Sequence, residues 1–183
     1  MDDLQAIQRL KDGDIGGLEV LVTRYQDKAV RTAFLITHDE DESEDIVQDT
    51  FMRIYRRIHQ FDLSRPFEPY LLRSVVNAAL NIAQKSNRYL SLECDLDQVE
   101  GLLSQAALVE LDVEYLQLKQ KIIVALARLE PRQRAVIVQR YYLEMSEKEM
   151  AVALDTAPGT VKWLLNAARA RLRDLLGSER NAD

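Results

Sequence analysis

Apolar positions recur every three to four residues along most of the chain, and no segment alternates convincingly with a period of two. The pattern therefore predicts an all-α protein. A short helix is expected from about Leu4 to Lys11, stopped at Gly13, and a second from about Leu18 to Ile36. The second should bury Leu18, Leu21, Val22, Tyr25, Ala33 and Phe34. A third opens with Asp39 as N-cap and Glu42 three residues on, with Ile46, Val47, Thr50, Phe51, Ile54, Tyr55 and Ile58 as its core stripe. Its acidic start (Asp39 to Asp49) and basic end (Arg53, Arg56, Arg57) both suit the helix dipole. A loop from Gln60 to Pro66 leads to a fourth helix, about Phe67 to Arg88. Residues 91–112 have weak periodicity and form the natural linker, and four more helices are expected at about 113–129, 131–142, 146–154 and 157–176. The architecture predicted is two small helical modules joined by a tether.

The last two helices have the form of a helix-turn-helix. Ser146-Glu147-Lys148-Glu149 is a capping box, in which the Ser146 hydroxyl accepts from the Glu149 amide while Glu149 reaches back. A short helix with Met150, Ala151 and Leu154 on its apolar face follows, and Asp155-Thr156 breaks it. The next helix starts at Ala157-Pro158, where proline costs little because first-turn amides have no helical partner. It places Val161, Leu164, Leu165, Ala168, Leu172 and Leu175 on one stripe. Trp163, Asn166, Ala167 and Ala170 fall on the opposite side, flanked by Lys162, Arg169 and Arg173. The single Trp of the chain thus faces away from the core, toward where DNA would lie.

Composition narrows the function classes. With 183 residues, 47% hydrophobic and 30% charged, the chain suits one domain or two small ones. No apolar run approaches the roughly 18 residues needed to span a membrane, and the acidic N-terminus is unlike a signal peptide. One cysteine, Cys94, makes no internal disulfide, and His38 and His59 are isolated. All three are expected to be surface or linker residues in a reduced, cytoplasmic protein. No nucleophile–base pair, phosphate loop or metal cluster is present, so neither an enzyme nor a cofactor is expected. The net charge of -6 is unevenly spread: residues 1–90 sum to -3, residues 91–112 to -6 with no Lys or Arg, and residues 113–183 to +3. Local charge governs phosphate contact, so the mildly basic third part is compatible with DNA.

Two ordered motifs then become recognisable. Gly13-Asp14 with Leu18, Glu19, Leu21 and Tyr25, followed by Glu44-Asp45-Ile46-Val47-Gln48-Asp49-Thr50-Phe51, resembles region 2 of bacterial sigma factors. Leu126-Ala127-Arg128-Leu129, Gln133-Arg134, Arg140-Tyr141-Tyr142, Ser146, Glu149, Ala151 and Gly159-Thr160-Val161-Lys162 resemble region 4. The order of the motifs, with no room between them for a region 3 domain, resembles the extracytoplasmic-function sigma factors. The resemblance implies a region 2-like domain at 1–90, an acidic linker at 91–112 and a region 4-like domain at 113–183. It also implies core RNA polymerase and promoter DNA as partners, together with an anti-sigma factor. No sensing domain is expected after Leu176.

Site residues follow from the same resemblance. The outward face of the third helix (Asp45, Gln48, Asp49, Met52, Arg53 and Arg56) is implied to meet core polymerase. The loop and fourth helix are implied to contact the −10 element and aid melting, through Phe61, Ser64, Arg65, Phe67, Tyr70, Arg73, Asn77, Asn81, Lys85 and Arg88. Holding an extruded base requires stacking surfaces and edge hydrogen bonds, which these residue types supply. Phe61, Phe67 and Tyr70 are equally well read as core aromatics. The −35 element is implied to meet Ser146, Thr156, Pro158, Thr160, Lys162, Trp163, Asn166, Arg169 and Arg173. Glu93, Asp95, Asp97, Glu100, Glu110 and Asp112 in the linker are suited to mimic a polyanion in the polymerase cleft, or to serve as an ordinary soluble tether.

The chain departs from the family pattern in its DNA-facing segments. Tyr70 stands where Trp is usual, Asn81 where Asp is usual, and Gln84-Lys85-Ser86-Asn87-Arg88 replaces an arginine run. After Lys162 the family reads Ser-Arg-Leu-His-Arg-Ala-Arg, whereas this chain has Trp163-Leu164-Leu165-Asn166-Ala167-Ala168-Arg169. Asp155 replaces a turn glycine, which Asp tolerates better than most residues. Fewer cations mean a weaker backbone grip and a shallower salt dependence. Asn166 is suited to adenine, and Trp163 to a thymine methyl or sugar, or equally to packing on a partner protein or a neighbouring helix. The competing functional class is a sigma-mimic protein that binds an anti-sigma factor or polymerase without reading promoters.

Overall fold

Helix caps and close helix crossings set the architecture of the computed structural model, which describes residues 1–86 and 113–178. Every regular element among the described residues is helical. Contacts divide the chain into two compact units, Met1–Ala79 and Leu80–Asp183.

In the first unit, α1 (Asp3–Lys11) is started by a capping box. Asp2 Oδ1 accepts from the Gln5 amide at 2.8 Å, and Gln5 Oε1 accepts from the Asp2 amide at 3.2 Å. The chain turns through Gly13 and enters α2 (Gly16–Thr37). There α1 crosses so closely that a Cβ on Gly17 would overlap the Ala6 carbonyl oxygen. α2 ends at His38, whose left-handed backbone (φ 56°) lets its amide donate to Phe34 O at 2.8 Å. Contrary to expectation His38 is buried, because this cap folds its ring back to 5.8 Å from that of Phe34.

α3 (Glu40–Arg56) begins as expected, with Asp39 Oδ1 accepting from the Glu42 amide at 3.0 Å. Thr37 and Ser43 hydroxyls meet at 2.9 Å across the corner, and Ser43 Oγ donates to Asp39 O at 2.5 Å. This fixes how α3 lies along α2. Ile46, Val47, Thr50, Phe51 and Ile54 are buried as the period predicts, and Ile58 is buried on a 3-10 turn, Ile58–Gln60. Tyr55 is only half-buried. α4 (Phe67–Ser86) follows, with its residues up to Ala79 in this unit, and is tied to α2 by an ion pair of 2.5 Å between Lys28 and Glu68. Leu18, Val22 and Tyr25 differ from expectation in being half-buried. Tyr25 lies at the rim because its hydroxyl donates to Asp3 Oδ2 at 2.5 Å.

The second unit contains α5 (Val113–Ala127), α6 (Pro131–Ile137), α7 (Glu147–Ala153) and α8 (Pro158–Ser178). α8 packs against α5, α6 and α7. Val161, Leu164, Leu165 and Ala168 are buried on the predicted stripe, while Leu172 and Leu175 are half-buried. The helix expected over 131–142 instead changes at Val138 into a π turn, Val138–Tyr142. The Leu143 amide donates to Val138 O at 3.1 Å, five residues back. Gln139 within this turn is 0% exposed, and among the described residues neither of its amide atoms meets a partner.

A buried amide without partners is a stability debt that an apolar side chain of similar shape removes. Gln139→Leu is expected to stabilise the chain by about 1–2 kcal/mol in urea unfolding. A loss of stability would show that the amide is satisfied.

Candidate polymerase and nucleic-acid interfaces

The outward face of α3 is assembled by the helix period alone. Asp45, Gln48, Asp49, Met52, Arg53 and Arg56 are all exposed, Met52 by 39%. Arg53 Nη2 donates to Thr50 Oγ1 at 3.2 Å. Beside this face lies a groove of about 360 Å³ between α2 and α3. Leu18, Val22, Gln26 and Val30 line it from α2, and Glu44, Val47, Gln48, Phe51 and Met52 from α3. Gln48 and Met52 therefore belong to both the charged face and the apolar groove. Leu18 and Val22 were expected in the core, and the structure places them on this open wall. The available sequence signal was the width of the α2 apolar stripe, which exceeds what one buried face needs.

The loop before α4 is ordered by Asp62. Its Oδ1 accepts from the Ser64 amide at 3.0 Å and the Ser64 hydroxyl at 2.7 Å, and Arg65 Nε lies 3.4 Å from Oδ2. The Ser64 hydroxyl, then its amide, hold the Asp62 carboxyl below the usual range, with Arg65 contributing less. Lys11 Nζ anchors the loop to α1 by donating to Phe61 O at 2.7 Å. Asp62 is thus a functional candidate that the sequence reading passed over.

The aromatics of this segment divide into two kinds. Phe61 and Phe67 are buried (8% and 2% exposed), with ring centroids 5.9 Å apart and Tyr25 5.7 Å from Phe67. Of the two readings open for them, this structure places both in the core, where no base reaches. Tyr70 is 39% exposed and its ring lies 5.1 Å from that of the buried Phe61, which supports it from one side. Tyr70, Arg73, Asn77, Asn81 and Lys85 recur at spacings of three and four along α4, on one stripe. Arg88 lies outside the described residues, as do Cys94 and the acidic candidates Glu93, Asp95, Asp97, Glu100, Glu110 and Asp112.

In the second unit the capping box forms as expected. The Glu149 amide donates to Ser146 Oγ at 3.3 Å, while Ser146 N and Oγ donate to Glu149 Oε2 at 2.8 and 2.6 Å. These bonds, the hydroxyl first, hold the Glu149 carboxyl below its ordinary range. Ser146 is therefore engaged in starting α7 and offers no spare donor to a phosphate in this arrangement. Asp155 adopts the left-handed turn (φ 46°), and the Thr156 amide donates to Ala151 O at 3.0 Å. On α8, Pro158, Lys162, Trp163, Asn166 and Arg173 are exposed, and Thr160 and Arg169 half-buried; Thr156 is half-buried in the turn. Trp163 is 66% exposed, although the opposite stripe of the same helix is buried. Leu164, where the family pattern has a cation, is 6% exposed and has joined the core.

This division of the aromatics sets an expected energetic difference. Phe67→Ala should cost about 3–5 kcal/mol in urea unfolding, and Tyr70→Ala less than about 1.5 kcal/mol. Equal costs would mean that Tyr70 is as much a core residue as Phe67.

Comparison with known proteins identifies the family and the fold. Residues 21–89 match the sigma-70 region 2 family, and residues 119–172 the sigma-70 region 4 family. The ECF RNA polymerase sigma factor SigW of Bacillus subtilis is 30% identical over 176 residues, covering 93% of this chain and 94% of that protein. The RNA polymerase sigma factor NccH of Alcaligenes xylosoxydans xylosoxydans is 30% identical over 173 residues, covering 93% and 92%. The chain belongs to the extracytoplasmic-function (ECF) family of RNA polymerase sigma factors. The fold is also that of CnrH in its complex with the cytosolic domain of CnrY, with a TM-score of 0.66 at 23% identity, covering 96% of this chain and 97% of that one. The sigma factor RpoE of Bartonella quintana, in complex with the anti-sigma factor NepR, gives a TM-score of 0.61 at 22% identity, covering 87% and 96%.

Proposed function

We propose that this sigma factor binds core RNA polymerase in the cytoplasm, directs it to specific promoters and aids DNA melting, performing no reaction itself. Residues 1–90 provide the polymerase attachment and the −10 contact, residues 91–112 the tether, and residues 113–183 the −35 contact. The polymerase meets Asp45, Gln48, Asp49, Met52, Arg53 and Arg56 on α3, with the neighbouring groove accepting apolar side chains of the same partner. Tyr70, Arg73, Asn77, Asn81 and Lys85 follow the opened strand, with Ser64, Arg65 and Arg88 beside them. Thr156, Pro158, Thr160, Lys162, Trp163, Asn166, Arg169 and Arg173 meet the upstream element.

The observation that carries this reading is the co-occurrence, in one chain, of an exposed charged face on α3 and an exposed reading face on a helix-turn-helix. A lone helix-turn-helix regulator would leave the first unit without a role. CnrH and RpoE were each solved with a protein partner, and RpoE's is an anti-sigma factor. By likeness of fold we infer an anti-sigma partner for this chain as well.

Run-off transcription with purified core polymerase on genomic fragments tests the reading. Promoter-specific transcripts are expected; core binding without a transcript on any fragment would favour the sigma-mimic alternative instead. In the same assay Trp163→Ala should weaken promoter affinity at least about fivefold, the low end for a lost base contact, and leave core binding unchanged. Unaltered promoter affinity would assign Trp163 to a protein partner.

A further inference from the structure

We infer that Tyr141 is a positioning residue for Arg169, holding its guanidinium ready for the upstream promoter phosphate. The inference rests on the promoter-reading function proposed above. Tyr141 lies on the π turn Val138–Tyr142 and is 61% exposed. Turns of this type occur mostly as single insertions and are frequent at functional sites. From this turn the Tyr141 hydroxyl accepts from Arg169 Nε on α8 at 2.9 Å, and the guanidinium carbon lies 5.8 Å from the ring centroid. That distance is within the range at which a cation is attracted to an aromatic ring.

The chemistry of this contact suits an external anion. Arg169 is held by a neutral hydroxyl, and among the described residues no carboxylate pairs with it or neutralises its charge. With Nε engaged, the four N–H groups on its two terminal nitrogens remain as donors, in the planar fork that grips phosphate bidentately. A free arginine loses rotamer freedom when it binds, and one held in advance loses less. That saving matters more on α8 than on a typical reading helix, because Leu164 and Ala167 stand where the family pattern has arginines. Each remaining cation carries a larger share of the grip.

The test uses holoenzyme on the shortest genomic fragment that supports run-off transcription, with affinity measured between about 50 and 200 mM salt. Arg169→Gln should reduce the slope of log affinity against log salt by about 1. Tyr141→Phe, which keeps the ring and loses only the hydroxyl, should weaken binding roughly two- to tenfold and leave the unfolding midpoint unchanged. In the Arg169→Gln background the same substitution should do nothing further. Wild-type affinity in Tyr141→Phe, or an equal loss in both backgrounds, would overturn the inference. A wild-type slope and affinity in Arg169→Gln would overturn it while leaving the promoter-reading function intact. Failure of the unaltered holoenzyme to select any fragment would remove that function and the inference together.

Discussion

Arg134 is only 2% exposed, and its Nε and one terminal nitrogen donate to the carbonyls of Leu126, Ala127 and Leu129 at 3.0 to 3.1 Å. These carbonyls lie at and just beyond the C-terminus of α5, where helical partners run out and the helix dipole is negative. Burying a cation costs several kcal/mol unless its hydrogen bonds are satisfied, and this end supplies three acceptors for it. The bonds lock α6 to α5, and α8 then packs on both. Once that side of α8 is committed to Val161, Leu165 and Ala168, the opposite side has to face outward. A buried cation thus helps decide which face of α8 is left exposed, the face proposed above to read DNA.

The first unit follows a comparable logic at its own corner. Asp39, Thr37 and Ser43 hold the start of α3 against the end of α2, and the two helices then run side by side. Toward the start of α2 they leave a groove lined by Leu18 and Val22, next to the charged face of α3. Apolar wall and charged rim together match the anatomy of a protein docking surface, in which the centre supplies affinity and the rim supplies orientation. The aromatic cluster at the start of α4 plays a supporting part. Phe61 and Phe67 are spent on packing, so that Tyr70 is presented from a rigid base.

Much of this was legible in the residues because caps and turns are local. Asp39, Ser146 and Asp155 each satisfy or adopt their predicted geometry within three or four positions of sequence. The buried stripe of α8 was legible because a 3.6-residue period needs no knowledge of the partner. What escaped prediction depends on distant contacts. Leu18 and Val22 have the same period whether their neighbours close over them or leave a groove. His38 is buried because a left-handed cap redirects its ring, and Arg134 because another helix ends where its side chain reaches. The π turn at Val138–Tyr142 leaves no periodic signature, since a single wide turn shifts register in a run that is apolar on either side.

The two units therefore present two kinds of surface, and the proposed function divides the work of a sigma factor between them. On α3 a charged face borders an apolar groove, the combination that the proposed protein partner would meet. On α8 a few cations flank a large exposed aromatic, Trp163, an arrangement that in the proposed function favours base and sugar contacts over phosphate grip. Hydrogen–deuterium exchange of the full chain, first with core polymerase and then with promoter DNA added, tests this division most directly. The account predicts that core polymerase slows exchange along α3 and the facing wall of α2, and that DNA then slows exchange from Ser146 through α8. Protection of α8 by polymerase alone, with no change on adding DNA, would contradict it.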